Sequence, residues 1–253
     1  MRSILVDWIV EVHTNFRLLP STLYLCVNII DRFLSLQNEV PRNKLQLVGV
    51  TSLLIACKYE EIYPPEVRDC VYITDRAYTR QEVLDMEAQI VRVLDFRLTV
   101  PTGHPFLTRF LHVCKATDTV KHLSSYYMER MLQEHNALQY KPSLLAATAI
   151  ALALTNPDRI NFDATQPISH NPASPLAALL AYSGYELENI REAAALFEAR
   201  VGQQGGSQGR RNLVAVRRKF EAARFLHVSM DFTLPRVTHL TLPDRPPAGD
   251  DAN

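Results

Sequence analysis

The segment LQLVGVTSLLIAC, Leu45 to Cys57, carries no charge on any face. A helix that is apolar all round cannot lie on a surface and must be enclosed by other helices. That requirement alone asks the chain for a shell of helices around one rod. The same pattern recurs in PSLLAATAIALALTN, Pro142 to Asn156. Each uncharged run is followed further on by a Tyr-led segment, AYTRQEVLDMEAQIVRVL in the first case and GYELENIREAAALFEARV in the second. Pairing Lys44 with Lys141, and Tyr78 with Tyr185, gives two offsets of roughly one hundred residues, the mark of an internal duplication. Such a period is too long for stacked solenoid repeats. The sequence therefore predicts an all-α protein of two compact domains, about 1–99 and 100–232, each wrapped round its own uncharged helix.

The remaining periodicity agrees. Apolar residues recur at helical spacing, as Ile4, Leu5, Trp8, Ile9 and Val12 in the first segment and Leu23, Val27, Ile30 and Leu34 in the second. Thr79 and Glu82 stand at capping-box spacing, where hydroxyl and carboxylate each satisfy a free backbone N–H, so a helix is predicted over Arg80–Leu94. The Pro- and Asn-rich NPDRINFDATQPISHNPASP and the Gly-rich insert at 202–209 read as exposed loops. The tail from 233 to 253 is Pro-rich and polar at its end, LPDRPPAGDDAN, and reads as disordered. MRSILVDWIVEV is helix-like from Met1 with no capping residue ahead of it, which leads us to expect further chain before it.

Composition narrows the function. With 27 basic against 27 acidic residues the net charge is zero, so the electrostatic footprint of a nucleic-acid or anionic-membrane binder is missing and neither partner is expected. The longest uncharged apolar run, Pro142 to Pro157, is shorter than the roughly 20 residues that span a bilayer, and no cationic start leads into a signal-peptide core. Cys26, Cys57, Cys70 and Cys114 form no CxxC pair and suit buried thiols in a reducing compartment. There is no HExxH, GxSxG, P-loop or GxGxxG, and no His/Cys group at metal-ligand spacing, so neither catalysis nor a cofactor or metal is expected.

Two places break the pattern. In the helix after Thr79 the apolar face is Val83, Met86, Ile90, Val91 and Leu94, and Glu87 falls inside that stripe. An unpaired carboxylate there is costly, so it calls for a cation. Lys58, at the end of the first uncharged run where the helix dipole favours positive charge, is best placed to supply it. Glu60 and Glu61 oppose the dipole at that end unless the helix has stopped, and Pro64 and Pro65 favour the stop. The pair reads either as a rivet between two helices or as a grip for another polypeptide. The second domain bears on this, because Thr155 stands in the place of Lys58 and Ala194 in that of Glu87. The other anomaly is the first helix, where Met1, Ile4, Leu5 and Trp8 gather more apolar surface than one core stripe needs. Either all of it is core or one face stays open for a short peptide.

MRSILVDWIVEVH, NIIDRFLS, LQLVGVTSLLIACKYEEIYPPEV and YITDRAYTRQEVLDMEAQIVRVLDF together resemble the cyclin box, and VPRNKLQLVGVT with KYEEIYPPEV is most similar to mitotic B-type cyclins. The second domain is similar through PTGHPFLTRFL, YKPSLLAATAIALAL, GYELENI and VRRKFEAARFLHVS. The resemblance implies two tandem cyclin folds, each of about five helices round a central one. It implies a regulatory subunit that binds and activates a cyclin-dependent Ser/Thr kinase at the G2/M transition, as a heterodimer found in nucleus and cytoplasm. In that setting Lys58 and Glu87 grip the kinase, while Leu54, Tyr59, Phe96 and Leu98 pack on its regulatory helix. The resemblance also implies a docking patch of Met1, Ile4, Leu5, Trp8 and Gln46, with Glu11 and Asp75 receiving the basic residue of short motifs in substrates or inhibitors. The helix that precedes the box in that family, and its destruction motif, would lie ahead of Met1, and the Gly-rich insert is foreign to the pattern. Two other classes fit two such folds. One is a transcription-factor IIB-like DNA-binding module, against which the zero net charge and KYEEIYPPEV speak. The other is a helical scaffold with no kinase dependence.

Overall fold

Helices and short 3-10 turns are the only regular structure among the described residues of the computed structural model, which are 1–37, 39–158, 175–201, 213–231 and 236–240. The first unit comprises α1 (Arg2–Asn15), α2 (Pro20–Leu36), α3 (Leu45–Glu60), α4 (Val67–Ile73) and α5 (Arg80–Val93). The second comprises α6 (Gly103–Val113), α7 (Asp118–Leu132), α8 (Pro142–Leu154), α9 (Pro175–Ser183) and α10 (Leu187–Val201). Two short helices follow, α11 (Ala215–Phe220) and α12 (Val228–Asp231).

The uncharged runs are the two hubs. Every residue of α3 from Leu47 to Cys57 is buried, as is every residue of α8 from Leu145 to Leu154. Around α3 pack α1, α2, α4 and α5, and around α8 pack α6, α7, α9 and α10. No side of either rod is left over, as their composition requires. Where α1 crosses α3, a Cβ on Gly49 would meet Leu5 Cδ1 at 2.7 Å, so the missing side chain sets the closeness of the two helices. Pro20 and Pro142 each open a helix at a position whose N–H has no intrahelical partner to lose. Thr79 and Glu82 form the capping box that starts α5, with Glu82 N to Thr79 Oγ1 at 3.2 Å and Thr79 N to Glu82 Oε2 at 2.9 Å.

The duplication read from the sequence has a structural counterpart. Tyr78 OH donates to the Asn43 carbonyl at 2.6 Å, just ahead of α3, and Tyr185 OH bonds Ser143 Oγ at 2.7 Å, in the first turn of α8. In each unit the tyrosine therefore moors the chain before its fifth helix to the start of the hub.

Polar bonds join the units. Asp7 on α1 accepts from Gln133 Nε2 at 2.6 Å and from the Ala215 N–H at 3.1 Å. Lys219 on α11 donates to both oxygens of Glu129 on α7 at 2.7 and 2.8 Å, with only 6% and 3% of the two side chains exposed. Burial pushes the Glu129 carboxyl above its ordinary range, and Lys219 opposes that shift. Beside this pair His13 is buried, its Nε2–H donating to the Leu19 carbonyl at 2.9 Å. Burial and then the Lys219 charge push the imidazole down to about 4.

One expectation needs correction. The tail was expected to be unpacked from 233 onward, yet Leu240 is 1% exposed and its carbonyl accepts from Arg191 Nη2 at 3.0 Å, while the Val237 N–H donates to Glu198 at 3.1 Å. An apolar side chain and two charged partners on α10 are enough to seat 236–240. The insert at 202–209, residues 159–174 of the Pro- and Asn-rich loop, and the rest of the tail lie outside the described residues.

Two outcomes are expected. Lys219→Met strands the Glu129 carboxylate and should cost about 3–5 kcal/mol in urea unfolding, most of it recovered by adding Glu129→Met. The His13 imidazole takes up a proton more readily in the unfolded chain than in the folded one. Its contribution to stability is therefore complete above the ordinary value of 6.5 and declines as pH falls toward about 4. The slope is about 1.4 kcal/mol per pH unit. His13→Gln should flatten that part of the stability profile.

Candidate functional site

Helix α3 leaves its enclosure at Lys58. The Lys58 Nζ lies 2.5 Å from Glu87 Oε1, with 48% and 18% of the two side chains exposed. Glu87 gets there from the stripe of α5, one turn beyond Val83 and three residues before Ile90, both at 0% exposure. The carboxylate thus rises from the edge of the core while the amine faces solvent. An exposed pair of this kind contributes about 0–1 kcal/mol, too little to hold two helices together by itself. The second unit forms the same packing without it. Thr155 turns its hydroxyl back to the Ala151 carbonyl at 2.9 Å, and Ala194 is fully buried.

Apolar side chains flank the pair. Tyr59 is 47% exposed and its hydroxyl bonds Thr99 Oγ1 at 2.5 Å, so the end of α3 and the chain after α5 form one surface. Phe96 is 73% exposed and sits at φ +56, next to Asp95 at φ +52, because α5 closes by a bond from the Phe96 N–H to the Val91 carbonyl at 3.0 Å. A left-handed conformation costs a residue with a side chain about 1 kcal/mol, here spent on a residue whose ring faces water. Leu98 is half-buried against the core. Leu54 is a correction to the expected contact set. It is 1% exposed and packs with Leu47, Val50, Cys70, Tyr78 and Val83, because the enclosure of α3 extends up to Cys57.

Sequence reasoning missed two parts of this surface. Ile62 and Tyr63 are 85% and 91% exposed in the turn that follows α3 and add apolar area beside the pair. Glu61 ends α3 in an extended conformation and its Oε1 accepts from the Leu19 N–H at 2.7 Å and Thr22 Oγ1 at 2.5 Å, so it caps α2 from another helix. The motif's second glutamate is thereby assigned to the fold. The only local signal for either was the pair of prolines that stop the helix.

The residues expected to form a docking patch differ in exposure. Met1 and Ile4 are 56% and 38% exposed, Trp8 lies half-buried between two apolar clusters, and Gln46 is half-buried. Leu5 is corrected to a core residue, 8% exposed, because Gly49 leaves room for it to sink onto α3. Glu11 is 3.5 Å from Arg218 of the second unit and so is already engaged by a cation. Asp75 is exposed at φ +54, the first of two left-handed residues that close α4. All four cysteines are buried and free, with burial first among the causes that push Cys57 and Cys70 up to about 12, far from a reactive thiolate. Among the described residues no cluster of His, Cys, Asp or Glu could hold a metal ion, and no helix is long and apolar enough to cross a membrane.

Two helical units, each around a buried hub, with an exposed charged and apolar surface at the tip of the first hub, define a tandem all-α protein. The family profile described as cyclin, N-terminal domain, matches residues 1–99, and that described as cyclin, C-terminal domain, matches residues 101–231. The chain belongs to the cyclin family. Among similar proteins, Cyclin-B1-3 of Arabidopsis thaliana is 53% identical over 153 residues, 60% of this chain and 37% of that protein. Cyclin-A2-1 of Arabidopsis thaliana is 38% identical over 250 residues, 97% of this chain and 51% of that protein. The chain spans about half the length, or less, of such relatives. The X-ray structure of a viral cyclin from herpesvirus saimiri has the same fold, with a TM-score of 0.65 and 20% identity, covering 80% of this chain and 84% of that one.

Glu61→Ala should remove the cap of α2 and cost about 1 kcal/mol in denaturant unfolding. Glu60→Ala should stay within about 0.5 kcal/mol of the parent.

Proposed function

We propose that this chain is the regulatory, non-catalytic subunit of a cyclin-dependent Ser/Thr kinase and that the surface around Lys58 and Glu87 is where the kinase docks. The observation that carries the reading is the contrast between the units. The first has a solvent-facing ion pair with Tyr59 and Phe96 exposed beside it, and the second builds the same hub with Thr155 and a buried Ala194. A charged pair whose remaining hydrogen-bonding capacity faces solvent, rimmed by aromatic rings, suits the backbone and apolar face of a partner helix. By binding the active arrangement of the kinase better than the inactive one, such a surface shifts the population toward activity and leaves the chemistry to the kinase. The mitotic, G2/M assignment rests on the B-type relatives at 51–53% identity. Met1, Ile4 and Trp8, with Gln46 and Asp75 at the edge, form the proposed docking patch for short motifs in substrates or inhibitors. Action in nucleus and cytoplasm, without nucleic acid or membrane as a partner, belongs to the same proposal.

The test is histone-directed activity of a mitotic cyclin-dependent kinase mixed with the chain. Lys58→Ala with Glu87→Ala should lower the activation more than tenfold while thermal unfolding stays cooperative and its midpoint moves by only a few degrees. Full activation by the double variant overturns the proposal, and loss of cooperative unfolding returns the pair to a structural role.

A further inference from the structure

The apolar stripe of α1 ends on a charge that the second unit controls. Ile4, Trp8 and Glu11 fall at the i, i+4, i+7 spacing of one helix face, so Glu11 closes the row that Met1 begins. Arg218 of α11 stands over that end, its Nη1 3.5 Å from Glu11 Oε1. Two bonds on either side of Arg218 hold it there. The Ala215 N–H donates to Asp7, one turn before Glu11 on α1, and Lys219 turns inward to the buried Glu129. Arg218 is left facing out, with 70% of its side chain exposed, on a groove of about 280 Å³ between α1 and α11 that Thr14 and Asn15 also line.

A guanidinium is a planar fork of five N–H donors, and this one commits little of its capacity to Glu11. Its approach is no closer than 3.5 Å, and its side chain has no other partner among the described residues. The neighbouring carboxylates are taken, Glu221 by Arg217 at 3.3 Å and Glu129 by Lys219, and Asp75 does not line this groove. A carboxylate brought to this end of the stripe therefore meets exposed donors in the geometry that suits it. A lysine or arginine meets a like charge and has to displace Arg218 from Glu11. We infer that the patch takes a short peptide whose apolar side chains lie on Met1, Ile4 and Trp8 and whose carboxylate is received by Arg218, and that it disfavours a basic residue at that position. The inference rests on the docking-patch reading proposed above and adds the charge of the partner, with Arg218 as the residue that sets it.

Along α1 the distance from Ile4 to Glu11 is about 10 Å, which roughly three residues of an extended peptide cover. The probes are short fluorescent peptides with a Leu-Ser-Leu core and a Glu, Gln or Lys three places before or three places after it. They are titrated against the whole chain by fluorescence anisotropy at low ionic strength, where exposed charges act most strongly. In one of the two registers the Glu peptide should bind about threefold to fivefold more tightly than the Gln peptide, and the Lys peptide more weakly than either. Arg218→Glu should reverse that order, and Ile4→Ser should weaken all the peptides alike. Equal affinities, or a preference for Lys, with binding still sensitive to Ile4→Ser overturns the inference and leaves the docking patch standing. No binding by any of the peptides, or binding indifferent to Ile4→Ser, overturns the patch reading and the inference with it. The three peptides compared on the parent chain decide the charge preference even if a variant fails to fold.

Discussion

Enclosure of a charge-free helix is the constraint from which the rest follows. Apolar surface removed from water contributes roughly 25 cal/mol per Å², and α3 has apolar or small residues on every side from Leu47 to Cys57, so the gain is complete only when four helices surround it. A rod used in this way has no face to spare for a ligand. Charge can be placed only where the rod emerges, and the first charged residue after Lys44, Lys58, is the one that meets Glu87 there. The second hub obeys the same packing rule but emerges with Thr155, and its neighbour on α10 is a buried alanine.

The three charges that end the first hub have separate tasks. Lys58 pairs with α5 at the surface, Glu61 caps α2, and Glu60 lies close enough to His104 for its charge to act on that imidazole. One short motif therefore meets three neighbours while leaving Tyr59, Ile62 and Tyr63 exposed. The left-handed closure of α5 does the equivalent for Phe96, holding the ring outward by a backbone hydrogen bond. Rigid placement of exposed aromatics lowers the ordering cost of docking a partner.

At the junction of the units polar bonds add to an apolar core that the two units share. Asp7, Gln133 and the Ala215 N–H form one set and Glu11 with Arg218 a second, while a third, Glu129 with Lys219, ties α11 to α7 within the second unit. A buried ion pair adds little net stability but tolerates only one register, because displacement leaves both charges unpaired. The short return helix α11 supplies a residue to each set, so the end of the second unit is what aligns it with the first.

Periodicity and capping are local, and what depends on them could be read from the chain. The two hubs, the duplication through Tyr78 and Tyr185, the Thr79–Glu82 start of α5 and the pairing of Lys58 with Glu87 all follow from residues within a few turns or from one unmatched charge on an apolar stripe. Depth could not be read in this way. Spacing put Leu5 with Met1, Ile4 and Trp8, and the family resemblance put Leu54 with the surface beyond it, but a gap above Gly49 drew the first inward and packing by α4 and α5 closed over the second. The partners of Glu61, Asp7 and Glu129 lie 42, 126 and 90 residues away in the chain. The sequence by itself determined which segments must be helices and which must be buried, because a charge-free helix has one stable environment. Which neighbour covers each side chain was decided only by the tertiary structure, because contact between distant segments depends on how whole helices cross.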